Sequence, residues 1–290
     1  MAIQKIFSCG EFEGDGVFDF DPATDYIFSV FSDLHHGEAN YNVFRCTDAL
    51  NRLAKIIEDG KDSEFFLSLG DFADNLADGI TLYEELKTAL SRRQIRLYKE
   101  NVVLADGERY LYLAVGNHEI AFQEKSTVRD YTPIVDGVGN VYAFSQKGTL
   151  FVCYDALFTA DTGSEKPDDI RPCLCYTIPD KTIGYLKKLI DENIAGCKSI
   201  VAFSHICLKN IEENAKQKWL SLLLSYNRPV YLFEGHAHRE NYQEYGDEQE
   251  RTAKVFTLPA VCDNDTYNRY EVVMRDGKLL RINAYEKPAQ

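Results

Sequence analysis

Five short stretches hold the residues best able to do chemistry: Asp33-Leu34-His35, Gly70-Asp71-Phe72-Ala73-Asp74, Gly116-Asn117-His118-Glu119, Ser204-His205 and Gly235-His236-Ala237-His238. Five of the chain's six histidines fall in them. Each stretch follows an apolar run: YIFSVFS, FFLSL, YLYLAV, SIVAF and PVYLF. One His or Asp after a strand is ordinarily a hydrogen-bonded loop residue. Five such places together call for more, because converging Asp and His side chains are costly to bury without partners and a cation removes that cost. Imidazole and carboxylate suit borderline first-row metals such as Mn, Fe or Zn. Asp33 and His35 stand at i, i+2, which within a strand puts both on one face, so they can chelate one ion. His236 and His238 repeat the device. Gly70, Gly116 and Gly235 are expected to let the backbone turn sharply beside the ions.

The elements that must position these residues follow from the apolar periods. YIFSVFS (26–32), EFFLSLG (64–70) and YLYLAVG (110–116) read as strands. Leu50, Leu53, Ala54 and Ile57 recur at helical spacing between the first two, with Gly60 as a stop. Between the second and third, TLYEELKTALSRRQIRLYKEN carries Leu82, Leu86 and Leu90 on one helical face. A β-α-β-α-β order of this kind predicts a partly parallel sheet covered by helices. A hairpin turning near Lys147-Gly148 comes next, then a helix over 180–194, a strand at 199–204, a helix over 212–225 and a strand at 229–234. Short strands close the chain, with Asp276-Gly277 as a hairpin turn. The polar run 242–251 reads as a solvated loop, and 161–181, with three prolines, as a long irregular segment, lid or surface loop. The carboxyl ends of strands in such sheets share one edge, where ligands bind. We expect one domain over 1–290, with a motif core at 26–240 and C-terminal strands at 252–286.

Composition narrows the functional classes. The net charge of −14, from 32 cationic and 46 acidic residues, disfavours nucleic-acid polymers and anionic membrane surfaces. A bound metal can still reverse the field locally for a phosphorylated small molecule. The opening residues do not read as a signal peptide, and no run approaches the ~18 apolar residues of a membrane helix. The eight cysteines, Cys9, Cys46, Cys153, Cys173, Cys175, Cys197, Cys207 and Cys262, are scattered and read mostly as reduced, buried small hydrophobes, so a cytoplasmic location is expected. Cys173 and Cys175 lack a second pair to complete a zinc site. A structural zinc protein fits poorly, since no cysteine belongs to the constellation and Asn117 is a weak structural ligand.

The ordered set D-x-H, GD-xx-D, GNHE, H and GHxH, spanning residues 33 to 238, resembles the calcineurin-like metallophosphoesterase family. The resemblance implies a four-layer α/β/β/α sandwich of two mixed sheets with helices outside and a dinuclear centre of transition-metal ions at the strand ends. Carried over, it gives Asp33, His35, Asp71 and His238 to the first ion. Asp71, Asn117, His205 and His236 go to the second, with Asp71 bridging. It implies that a metal-bridging hydroxide attacks phosphorus, that His118 protonates the leaving oxygen and that Asp74 pairs with His118. Asn75 stands where protein phosphatases of this superfamily carry an arginine, which favours the phosphodiesterase-like branch, including class III cyclic-nucleotide phosphodiesterases. The expected substrate is a small phosphorylated molecule, a phosphodiester or a phosphomonoester, nucleotides among the candidates. His36 and Arg239, flanking the first and last chelates, are candidate substrate contacts, although each is more ordinarily a solvated neighbour. The alternative from another class is a catalytically silent scaffold of the same fold, against which stands the completeness of the ligand set.

Overall fold

The computed structural model describes residues 3–8, 20–37, 48–73, 79–99, 102–120, 125–159, 176–262 and 266–288. In chain order the elements are β1 (Ile3–Ser8), β2 (Asp25–Phe31), α1 (Ala49–Asp59), β3 (Phe65–Ser68), α2 (Gly79–Ser91), β4 (Ile95–Leu97), β5 (Arg109–Leu113) and the single turn α3 (Asn117–Ile120). There follow β6 (Tyr142–Gln146), β7 (Thr149–Cys153), β8 (Phe158–Thr159), β9 (Tyr176–Thr177), α4 (Asp180–Asn193) and β10 (Ser199–Ser204). The chain closes with α5 (Glu213–Ser225), β11 (Val230–Glu234), β12 (Asn241–Gly246), β13 (Thr252–Thr257), β14 (Thr266–Arg275) and β15 (Lys278–Pro288).

Two mixed sheets result. The first runs β1-β15-β14-β2-β3-β5-β4 and the second β12-β13-β11-β10-β7-β6. Their centres are parallel: β2 with β3, β3 with β5, β7 with β10, β10 with β11 and β11 with β13. The strands alternate side chains between two cores. Phe28, Val30, Phe65 and Leu67 of the first sheet meet Phe151, Val201, Phe203 and Phe233 of the second in one buried layer. Aromatic rings interlock there, with Phe28 edge-on to Phe151 at 5.3 Å and Tyr112 stacked on Phe144 at 3.6 Å. The opposite faces of the same strands, Phe31 and Phe66 or Val152 and Leu232, pack with Leu53, Ile56 and Leu86 of α1 and α2 and with Leu186, Trp219 and Leu223 of α4 and α5. The architecture is the four-layer α/β/β/α sandwich.

Three sequence expectations change. The helical reading of 81–101 ends at Ser91; Gln94 turns the chain with φ 57°, and buried Ile95 enters the sheet as an edge strand beside Arg109. The run 242–251 is a solvated loop only in part, because Asn241–Gly246 pairs antiparallel with β13. An edge strand with largely exposed side chains shows no apolar alternation, so backbone pairing alone makes it. Strand β1, paired with β15, was not foreseen. Of the segment 161–181, residues 161–175, Cys173 and Cys175 among them, lie outside the described residues, as do Asp74, Asn75, Cys9 and Cys46; its end forms β9 and the start of α4. Among the described residues no helix is long and apolar enough to cross a membrane.

Candidate metal centre

The chelating pairs do not lie within strands. Strand β2 ends at Phe31 and β11 at Glu234, and Asp33, His35, His236 and His238 follow in the loops. Their convergence comes from backbone twist: Asp33, His35, Asp71, His236 and His238 have φ of 55°, 49°, 46°, 64° and 51°. These five are half of the ten non-glycine residues with positive φ among the described residues, so left-handed strain of order 1–3 kcal/mol each is concentrated here. Of the three glycines singled out by sequence, only Gly70 needs its freedom of φ, at 96°. A Cβ at Gly116 would fall on the Asp71 carboxylate and one at Gly235 on Ser32 Oγ, so close approach rather than turning requires glycine at both.

Two clusters of donor atoms share one oxygen. On one side, His35 Nε2 lies 3.3 Å from His238 Nε2, 3.8 Å from Asp33 Oδ1 and 3.7 Å from Asp71 Oδ2, and His238 Nε2 lies 3.1 Å from Asp33 Oδ1. On the other, His205 Nε2 lies 3.1 Å from the same Asp71 Oδ2 and 2.9 Å from Asn117 Oδ1, which is also 2.9 Å from His236 Nδ1. Ligands bonded at about 2.0–2.2 Å to a common ion stand about 3–4 Å apart, so each cluster has the spacing of a coordination shell. Asp33, His35, Asp71, Asn117 and His205 are almost completely buried. Asp33 Oδ1, although beside His238, has no well-directed hydrogen bond. A pair of nitrogens facing each other and an orphaned buried carboxylate oxygen fit cations between them. The outer atoms are held by the protein: His205 Nδ1 contacts Leu69 O at 2.8 Å, Asp33 Oδ2 accepts from His236 N at 3.1 Å, and Asp71 Oδ1 accepts from His118 N at 2.9 Å. Such supports fix which nitrogen faces the ion.

Without ions, the charges settle on one another. Burial opposes ionisation of Asp71, but His205 and His118 outweigh it and hold the carboxyl far below its usual range. Burial likewise opposes the His205 imidazolium, yet Asp71, with Asp33 and Glu119 behind it, raises it to about 9. Burial, reinforced by the His205 charge, pushes His236 down to about 4. An ion takes neutral imidazole, so below pH about 9 its binding must expel the His205 proton. Apparent metal affinity should therefore rise by about tenfold per pH unit from neutrality and level off once His205 is already neutral. Chelator competition with Mn²⁺ at several pH values reads this directly; a flat profile would show that His205 carries no proton to displace.

Glu119, which sequence reasoning placed in a motif but gave no role, is fully buried. It accepts from the backbone N–H groups of Asp71, Phe72, Ala73 and Gly116. One carboxylate thus ties the loop after β3 to the loop after β5. Its signal in sequence was its charge beside Asn117 and His118, three residues after a glycine. Asn140 supports the same exit, with its Oδ1 accepting from Val115 N at 3.0 Å. His118 stands edge-on to His35 with ring centres 4.6 Å apart and Nε2 4.0 Å from Asp71 Oδ2. His36 Nε2 lies 2.9 Å from Glu85 Oε2 on α2. Arg239 is exposed. Cys262, read from sequence as a plain core residue, has its sulfur beside His35 and His238, so a cysteine does adjoin the constellation.

The family model for calcineurin-like phosphoesterases matches residues 28–240, and the chain belongs to that family. The family's chemistry is metal-dependent phosphoester hydrolysis, and the chain carries candidate ligand groups for divalent ions. Among solved structures, a dimetal phosphatase from Danio rerio is similar with a TM-score of 0.64 and 14% identity, over 91% of this chain and 99% of that one. The NAD nucleotidase of Haemophilus influenzae (TM-score 0.47, 12% identity, 91% and 55% of the two chains) also matches. So does a metallophosphoesterase from Sphaerobacter thermophilus (0.36, 13%, 91% and 89%). At such identities the likeness concerns the fold alone. No significant match was found among curated protein sequences.

Proposed function

We propose that the chain is a dinuclear phosphodiesterase acting on a small phosphorylated substrate, nucleotides among the candidates, rather than on phosphoproteins. The observation that carries the two-ion part is the single Asp71 oxygen facing both donor clusters. Asp33, His35 and His238 would hold one ion with it, and Asn117, His205 and His236 the other. Two such ions supply Lewis acidity and an activated water for in-line displacement at phosphorus. The diester preference is supported by Asn75 at the place of the protein-phosphatase arginine, and the acidic chain argues against a nucleic-acid polymer. A cytoplasmic location is supported by four buried cysteines, Cys153, Cys197, Cys207 and Cys262, that form no disulfide.

His118 is assigned the proton for the leaving oxygen. It sits at the rim, partly open to solvent, beside His35 and Asp71. General acids contribute about 10²–10⁴-fold, and only where the leaving group needs the proton. His118→Ala should therefore retain its metal, lose about that factor on alkyl or ribosyl leaving groups, and lose little on bis(p-nitrophenyl) phosphate. Metal analysis beside the two assays tests this. An empty site in the variant would make His118 a ligand, and a metal-loaded wild type inactive on every diester and monoester would return the chain to the silent-scaffold reading.

A further inference from the structure

We propose that Cys262 supplies a sulfur donor to the first metal position, beside His35 and His238, and so biases that position toward softer ions. The proposal rests on the two-ion reading of the site and adds a ligand to it. The donor atoms of His35, His238 and Cys262 all lie within 4.8 Å of one another. Cys262 follows β13, which runs parallel to β11, so it arrives at the same sheet edge as the histidines. Its Cα is tied to the first chelate: Cys262 N donates to Asp33 O at 3.0 Å and Val261 N to Ser32 O at 2.9 Å. The loop is braced from outside by Arg52 Nη1 on Val261 O at 2.7 Å and Asn268 Nδ2 on Ala260 O at 2.9 Å. A position held by four hydrogen bonds is pre-organised rather than left to chance.

Two independent features point to an ion there. Asp33 Oδ1 is buried, borders the same histidine nitrogens and lacks a well-directed hydrogen bond. The Cys262 sulfur lies within 4.8 Å of donor nitrogens of both His35 and His238, whereas the Cys207 sulfur lies 2.8 Å from Gly235 O and the Cys153 sulfur 3.5 Å from Asn140 O. On coordination the S–H bond breaks, its proton leaves to solvent and the sulfur lone pair forms the bond to the ion, with no change of oxidation state. A thiolate selects Zn or Fe over Mn, which prefers oxygen donors.

Cobalt(II) is the probe, because a sulfur-to-cobalt charge-transfer band in the near ultraviolet reports the bond independently of turnover. The metal-free full chain is titrated with Co²⁺, with Cys262→Ser and Cys207→Ser alongside and circular dichroism to verify folding. The wild type and Cys207→Ser should show the band, Cys262→Ser should bind cobalt without it, and its Zn²⁺ affinity should fall by roughly 10–100-fold, the range seen for residues that support metal sites. Two bound cobalt ions with no band, or a band that survives in Cys262→Ser, would overturn the sulfur ligand and leave the two-ion reading standing. A chain that binds no cobalt at all would overturn both.

Discussion

Asp71→Ala is expected to hold fewer than one divalent ion per chain where the wild type holds about two, and to lose turnover by more than about 10³-fold, beyond the ~10²–10³-fold typical of one lost charge-stabilising group. The reason is the shared oxygen. Asp71 Oδ2 stands 3.7 Å from His35 Nε2 and 3.1 Å from His205 Nε2, so its removal takes a donor from both clusters at once. It also removes the carboxylate that does most to raise His205, leaving only the weaker pull of Asp33 and Glu119 against burial, so the proton competition weakens. The variant therefore separates two effects: less proton to displace, but no bridge. Asp71→Asn retains an oxygen to accept from His118 N while losing the charge, and should fall between the two. Elemental analysis of dialysed protein, with circular dichroism to show the fold intact, decides the matter. Two retained ions in Asp71→Ala would mean that each cluster is complete without the bridge.

The same residue shows what could be read from the chain alone. Asp71, Asn117, His205, His236 and His238 were legible because each follows an apolar run, and parallel strands bring such places to one edge. A partly parallel sheet covered by helices was legible from the same runs, since a strand buried on both faces is apolar nearly throughout, while the four-layer sandwich followed from the family resemblance. The means of convergence was not. The i, i+2 spacing of Asp33 and His35 suggested one face of a strand, whereas the structure twists both into left-handed backbone beyond β2. No residue-type preference announces that conformation for Asp or His in a way that separates it from an ordinary turn. Edge strand β12 and strand β4 escaped for a related reason, because an edge needs only backbone pairing on one side. Cys262 escaped because it lies outside the five motif stretches, with His35 more than two hundred residues away along the chain, and an apolar neighbourhood of Val261 and Ala260 describes its backbone better than its sulfur.

Glu119 is the residue whose loss should damage the scaffold most. Its carboxylate accepts four backbone N–H groups, three from residues 71–73 and one from Gly116, in a site closed to water. Burial, together with the nearby Asp71 charge, pushes it up to about 7, while the amides of Ala73 and Gly116 pull the other way. Cations in the adjacent clusters would add to that pull and favour the carboxylate. Glu119→Gln keeps the size but supplies one oxygen and two new donors, so its amide must point N–H groups at N–H groups. Breaking a buried charged network of this kind costs about 3–5 kcal/mol. For a chain of this length that lowers the melting temperature by roughly 5–8 °C. Glu119→Ala should do similar damage, softened where water can enter the space. Both variants should also lose metal, because Asp71 and Asn117 no longer share a rigid frame, and Mn²⁺ should rescue stability less in them than in the wild type. Melting curves with and without metal measure both effects together; a Glu119→Gln chain that melts and binds ions like the wild type would show that the two loops are held by something other than this carboxylate.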